Sequence, residues 1–159
     1  LLFAFQLDYY KEDCSVENAS SIAAIFEYNG KRILWLSDSV PSVIVNSLTQ
    51  LGYSESNKLC CDLVLLSHHG SAGNNSIEML RLIQSNRFLI SSDGFNKYCL
   101  PNKETIARIV NANQDLPVSL YFNYDNGRLS RMFKADDPAD LRLMIDVNFL
   151  GEVGSIEIK

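Results

Sequence analysis

Asn29-Gly30-Lys31-Arg32-Ile33-Leu34-Trp35-Leu36-Ser37-Asp38, followed after Pro41 by Leu63-Val64-Leu65-Leu66-Ser67-His68-His69-Gly70-Ser71, carries the strand and turn signals from which the architecture follows. Asn29-Gly30 stands between an apolar run over residues 22–28 and its return over residues 32–36, the pattern of a hairpin closed by a type I′ turn. Ile33 and Trp35 alternate with Leu34 and Leu36, so both faces of the return strand are apolar, as in a strand covered on both sides. Pro41 suits the first turn of a helix. Val40, Val43, Ile44, Leu48 and Leu51 then make one helical stripe that Gly52 closes. Residues 63–66 read as a short buried strand leading straight to the histidines.

Asn75 with Glu78 three residues on resembles a helix-starting box, with Ile77, Leu80 and Ile83 as the buried side. Residues 87–91 form another strand, and Asn102 caps a helix carrying Ile106, Ile109 and Val110. The order β-α-β-α-β-α predicts an α/β fold with parallel strands and helices packed on the sheet. Right-handed crossovers then bring Asp38, His68-His69 and the Ser91-Ser92-Asp93 turn to one C-terminal edge. Further on, residues 118–123 and 129–133 flank Asp125-Asn126-Gly127 and predict a second hairpin. Strands are expected over 141–150 and 155–158. This divides the chain into an α/β part, residues 1–115, and a β-rich C-terminal extension, residues 116–159.

Composition narrows the function. The chain has 159 residues, 47% hydrophobic and 21% charged, with a net charge of −5. That is a globular balance, and it lacks the basic face by which proteins grip nucleic acid through bulk charge. The longest apolar runs are far short of the roughly 20 residues of a membrane span. Leu1-Leu2-Phe3-Ala4-Phe5 reads as a strand entered halfway, the expected look of a chain cut from something longer. Cys14, Cys60, Cys61 and Cys99 show no CxxC spacing, which points away from a zinc knuckle and toward small apolar side chains in a reducing cytoplasm. Tyr9, Tyr10, Trp35, Phe88, Tyr121 and Phe122 have core-like spacing and read as packing.

The chemistry concentrates on few residues. His68 and His69 are the only histidines. Imidazole is the commonest protein metal ligand and titrates near neutrality. On an extended strand the two would point to opposite faces, so one enters a site while the other supports the loop. Asp38 at a strand exit suits either a metal ligand or an N-terminal helix carboxylate. Serines 37, 39, 67 and 71 make a Ser/His/Asp arrangement formally possible, but no Gly-x-Ser-x-Gly elbow accompanies them.

The order of these motifs resembles the metallo-β-lactamase superfamily, closest to the β-lactamase-like domain of bacterial DNA-uptake competence proteins and its stand-alone relatives. Asn18-Ala19-Ser20-Ser21 leads into the hairpin as the family's Asn-x-x-Ser does. Ser37-Asp38 stands where the family has Gly-Asp, and His68-His69-Gly70-Ser71 matches its His-His-Gly-Ser. The likeness covers roughly residues 16–110 and implies the C-terminal half of an αββα-type fold. It also implies a metallohydrolase half-site: Asp38 as the carboxylate bridging two ions of zinc or manganese, His69 as the last imidazole ligand, and His68 beside it. Ser67, Ser71 and Asn96 would line the substrate pocket. The substrate class is a phosphodiester, nucleic acid included, or a related ester, attacked by metal-activated water.

Two departures stand out. The family's first metal motif, His-x-His-x-Asp-His, is absent and is expected in an upstream half of the same domain. The family's Gly-His-Pro-His is replaced by Cys99-Leu100-Pro101-Asn102. These substitutions raise the alternative of a non-catalytic binding module on the same fold. A receiver-like domain with Asp38 as acceptor fits worse, because the acidic cluster and lysine of such a site are not at neighbouring strand ends.

Overall fold

The computed structural model describes residues 8–113, 117–124, 126–134, 145–151 and 154–158. The expected opening strand at Leu1–Phe5, residues 141–144 and Asp125 lie outside them. The chain is α/β. Its main sheet, among the described residues, has six strands: β1 (Ala24–Tyr28), β2 (Lys31–Trp35), β4 (Leu63–Leu65), β6 (Arg87–Ile90), β7 (Val118–Phe122) and β8 (Ile145–Phe149), in the spatial order β1-β2-β4-β6-β7-β8. β1 and β2 are antiparallel and every other neighbour is parallel. Two short strands, β3 (Leu59–Cys60) and β5 (Ile83–Gln84), pair beside it.

The hairpin forms as its turn residues dictate. Asn29 and Gly30 take φ values of 49° and 74°, the left-handed pair a type I′ turn requires, and Tyr28 pairs Lys31. A short helix, α1 (Val16–Ala19), precedes the hairpin; helix α2 (Pro41–Gln50) has Pro41 in its first turn, and Gly52 beyond its end is left-handed at φ 88°. Its stripe is narrower than the periodicity suggests: Ile44 and Leu48 are buried, whereas Val43 and Leu51 face out.

Helices α2, α3 (Ile77–Arg81) and α4 (Lys103–Ala112) cover one sheet face. Leu34, Val64, Phe88 and Leu120 lie side by side across that face, none more than 3% exposed. The adjacent row of Trp35, Leu65, Leu89 and Tyr121 points the other way. Trp35 is 49% exposed and stacks obliquely on exposed Phe26; the other three are half-buried. The expectation of cover on both faces is therefore corrected: among the described residues the second face has no helical layer. Tyr9 and Tyr10, also read as packing, are exposed, while Phe88 and Phe122 are core.

Three local readings change. Helix α3 is capped by Ser76, whose hydroxyl accepts the Met79 amide at 3.1 Å; Asn75 is engaged elsewhere. The second hairpin is not formed. Asn126 is extended at φ −148° and its side chain accepts the Arg128 and Leu129 amides, opening α5 (Gly127–Arg131) where a return strand was expected. Asn-Gly starts a type I′ turn only with both residues left-handed, and here Asn126 acts as a cap instead. β7 and β8 continue the main sheet in parallel, and the described residues 154–158 contain no strand.

Candidate functional site

The parallel strands end together at one edge, and the loops leaving β2, β4 and β6 meet there. His68 N–H donates to the Ser37 carbonyl (2.9 Å), and Leu66 N–H to Leu89 (3.0 Å). His68 and His69 sit in a tight left-handed turn, φ 44° and 56°, not in an extended strand. The expectation that strand alternation sends them to opposite faces is therefore corrected: the two rings lie edge to face, with centroids 5.9 Å apart.

Backbone-directed contacts hold this turn. Asn75, fully buried, accepts the Ser67 amide (3.2 Å) and donates to the carbonyls of Ser67 and Ser71 (both 2.8 Å). Gly70 is left-handed at φ 82°, and a Cβ there would lie 2.6 Å from Pro101 Cβ. Its carbonyl accepts Thr105 Oγ1 (2.8 Å) at the start of α4. Arg108, 4% exposed, donates to the carbonyls of Ala72 (2.6 Å) and Asn75 (2.8 Å) and pairs through Nε and Nη2 with Asp8 at 2.6 and 2.7 Å. That guanidinium holds the Asp8 carboxyl below the usual carboxylate range against the opposing effect of burial.

Each imidazole is anchored through Nδ1. His69 Nδ1 lies 2.5 Å from the Ser91 carbonyl, which only accepts, so Nδ1 carries a proton and in the neutral ring Nε2 keeps the lone pair. His68 Nδ1 faces a cluster that the sequence did not announce. Asn74 Oδ1 and Asn18 Nδ2 each lie 3.1 Å away, and Asp13 Oδ2 lies 3.6 Å away. Burial works against the Asp13 charge, but hydrogen bonds from Asn18, the Ser15 amide and Asn74 outweigh it and hold the pKa at about 2. Asp13 could have been noticed from Asp13-x-Ser15: its carboxylate accepts the Ser15 amide at 2.9 Å, an Asx turn. Its partnership with residue 68 had no local signal.

Asp38 reaches the same edge. Its carbonyl accepts Asn74 Nδ2 at 3.3 Å, and among the described residues its carboxylate has no hydrogen-bond partner. The helix-capping alternative fails for it, since Val40 is the cap residue of α2 and Glu12 accepts the Ser42 amide at 2.9 Å. Ser67 is buried and donates to the Ser39 carbonyl (2.6 Å). Asn96 accepts the Tyr98 and Leu100 amides and donates to the Leu100 carbonyl, so its side chain is spent on its own loop. Ser71 lines a cleft of about 560 Å³ together with Asp13, Asn18, His68, Asn74 and Asn102. Asn102 there accepts the Ala72 amide at 2.8 Å, and Leu100 is 5% exposed.

Among the described residues no three His, Cys, Asp or Glu side chains are gathered closely enough to hold a metal ion by themselves. Asp38, His68 and His69 thus offer oxygen and nitrogen donors suited to zinc or manganese, but not a complete ligand set. A second cleft of about 560 Å³ lies at the opposite sheet end, by the β1–β2 turn. Its cations are already paired, Arg32 with Glu27 and Lys31 with Asp62. Burial pushes its Cys61 thiol up to about 12, which removes it as a nucleophile. The four cysteines are free, and only Cys61 is buried. No described helix is long and apolar enough to cross a membrane.

No family model, curated protein or solved structure matches the chain.

Proposed function

We propose that this chain is part of a metal-dependent hydrolase of the metallo-β-lactamase superfamily, acting in the cytoplasm on a phosphodiester or related ester. The observation that carries the reading is the anchored histidine pair. His69 is held through Nδ1 next to His68, at the C-terminal edge of a parallel sheet that Asp38 also reaches. In this reading Asp38 and His69 are ligands, His68 adjoins them, and Ser71 borders the substrate. Zinc or manganese, when bound, would supply an activated water and a Lewis acid. The chain's own residues orient the donors: Ser91 fixes His69, and Asn75 fixes the turn that carries both rings.

The uncovered sheet face supports an upstream half of the same domain as partner, because parallel sheets are stable when both faces are covered. The isolated chain would bind metal weakly and catalyse poorly, having only part of a ligand set. The test joins the chain to its upstream segment and measures phosphodiester hydrolysis with Mn²⁺ or Zn²⁺. Activity that drops on the order of a hundredfold in Asp38→Ala or His69→Ala sustains the reading; no rate above a metal-free control ends it. The alternative, a non-catalytic binding module, is favoured by one observation: Leu100 and Asn102 fill structural roles where the family has histidines. An upstream half lacking histidine ligands would select it.

A further inference from the structure

We propose that Asp13 is a positioning residue that sets the tautomer of His68, acting with the amides of Asn18 and Asn74. The orientations of both amides are fixed by contacts that do not involve the imidazole. Asn18 Nδ2 donates to Asp13 Oδ2. Asn74 Nδ2 faces three acceptors: Asp13 Oδ2 (3.1 Å) and the carbonyls of Asp38 (3.3 Å) and Ser39 (3.5 Å). It follows that Asn18 turns a donor, and Asn74 an acceptor, toward the same nitrogen, His68 Nδ1, each at 3.1 Å.

A neutral imidazole satisfies only one of these. Asn18 alone favours a bare Nδ1 with the proton on Nε2, whereas Asn74 favours the proton on Nδ1. The two amides oppose each other, and the carboxylate decides. Asp13 Oδ2, 3.6 Å from Nδ1, is an anion that only accepts, so it adds to the side of Asn74. His68 then carries its proton on Nδ1 and leaves Nε2 bare. His69 reaches the same state by the simpler route of the Ser91 carbonyl. Two consecutive imidazoles are thereby set alike by unrelated devices, one a backbone carbonyl and the other a carboxylate brought from 55 residues upstream. The segment also docks through its main chain, the Asp13 amide donating to the Gly73 carbonyl at 3.1 Å.

The inference rests on the proposed function only for the use of the bare Nε2; the tautomer is a property of the metal-free chain. With two histidines in the sequence, long-range ¹H–¹⁵N correlation on the ¹⁵N-labelled full chain, above the imidazole titration, gives two assignable rings. Both are expected protonated on Nδ1. Asp13→Asn should move the His68 ratio toward Nε2–H on the order of tenfold, the scale of one interaction with a charged group. His69 should stay unchanged and serve as the internal check that the turn is intact. Asn18→Ala removes the opposing donor and should keep or strengthen Nδ1–H, which keeps the idea testable if Asp13→Asn fails to fold. A wild-type His68 protonated on Nε2 overturns the proposal outright, as does an Asp13→Asn ratio equal to wild type. Adding Zn²⁺ to the chain joined to its upstream segment separates the two readings: if Nδ1–H is intact but the Nε2 resonances do not move, the metal reading falls and the Asp13 role stands.

Discussion

Leu34, Val64, Phe88 and Leu120 form one row across the sheet; Trp35, Leu65, Leu89 and Tyr121 form the next. Both rows are largely apolar and built from neighbouring residues, yet one is sealed under three helices and the other stays partly in contact with solvent. Apolar alternation thus specifies which side chains seek cover, not what supplies it. Energy follows cover. The same class of substitution should therefore cost very different amounts on the two faces.

The largest expected effect is on the sealed row. Phe88→Ala should lower unfolding free energy by about 3–5 kcal/mol, read from urea denaturation of the full chain. A cost near zero would mean that the helical layer does not press on the sheet as described. Next comes the turn at the edge between the faces. Gly70→Ala adds left-handed strain of about 1–3 kcal/mol to a contact with Pro101 that is too short. The same melts should show it, with the His69 resonances displaced.

A pH series sharpens the edge further. The Asp13 pKa falls from an unfolded 3.8 to about 2. Its charged form is thus preferred in the folded state, and the stabilisation is complete above pH 4. It is lost as pH falls through 2, and amounts to about 2 kcal/mol. Asp13→Asn should flatten that part of the acid limb in melts between pH 5 and 2. The smallest effect belongs to the open row. Trp35→Ser should change stability of the isolated chain by no more than about 0.5 kcal/mol, while reducing binding of an apolar dye. A large loss would show that this face is already packed.

Much of the architecture was legible because its signals are local. Asn29-Gly30, Pro41 and Gly52 act on their own backbones, and alternation of strands with helical stripes implies parallel pairing. The common edge of Asp38 and the histidines followed from topology. What escaped depends on distance or on ambiguity. Asp13 meets His68, and Arg108 meets Asp8, across spans that no local pattern encodes. Asn126-Gly127 serves equally as a hairpin turn or a helix cap, and only the surroundings choose. Asn75 looked like a cap because Glu78 follows it, but its buried amide is bound to the loop behind it.

The turn carrying the histidines is held by Asn75, Thr105 and Arg108, all gripping main-chain atoms. A scaffold gripped in that way holds its backbone without calling on the side chains at positions 68 and 69. Positions 68 and 69 are therefore natural sites for a combinatorial library: their dihedrals admit asparagine, aspartate and glycine readily and resist branched residues. New chemistry could be screened on this edge without redesigning the body beneath it.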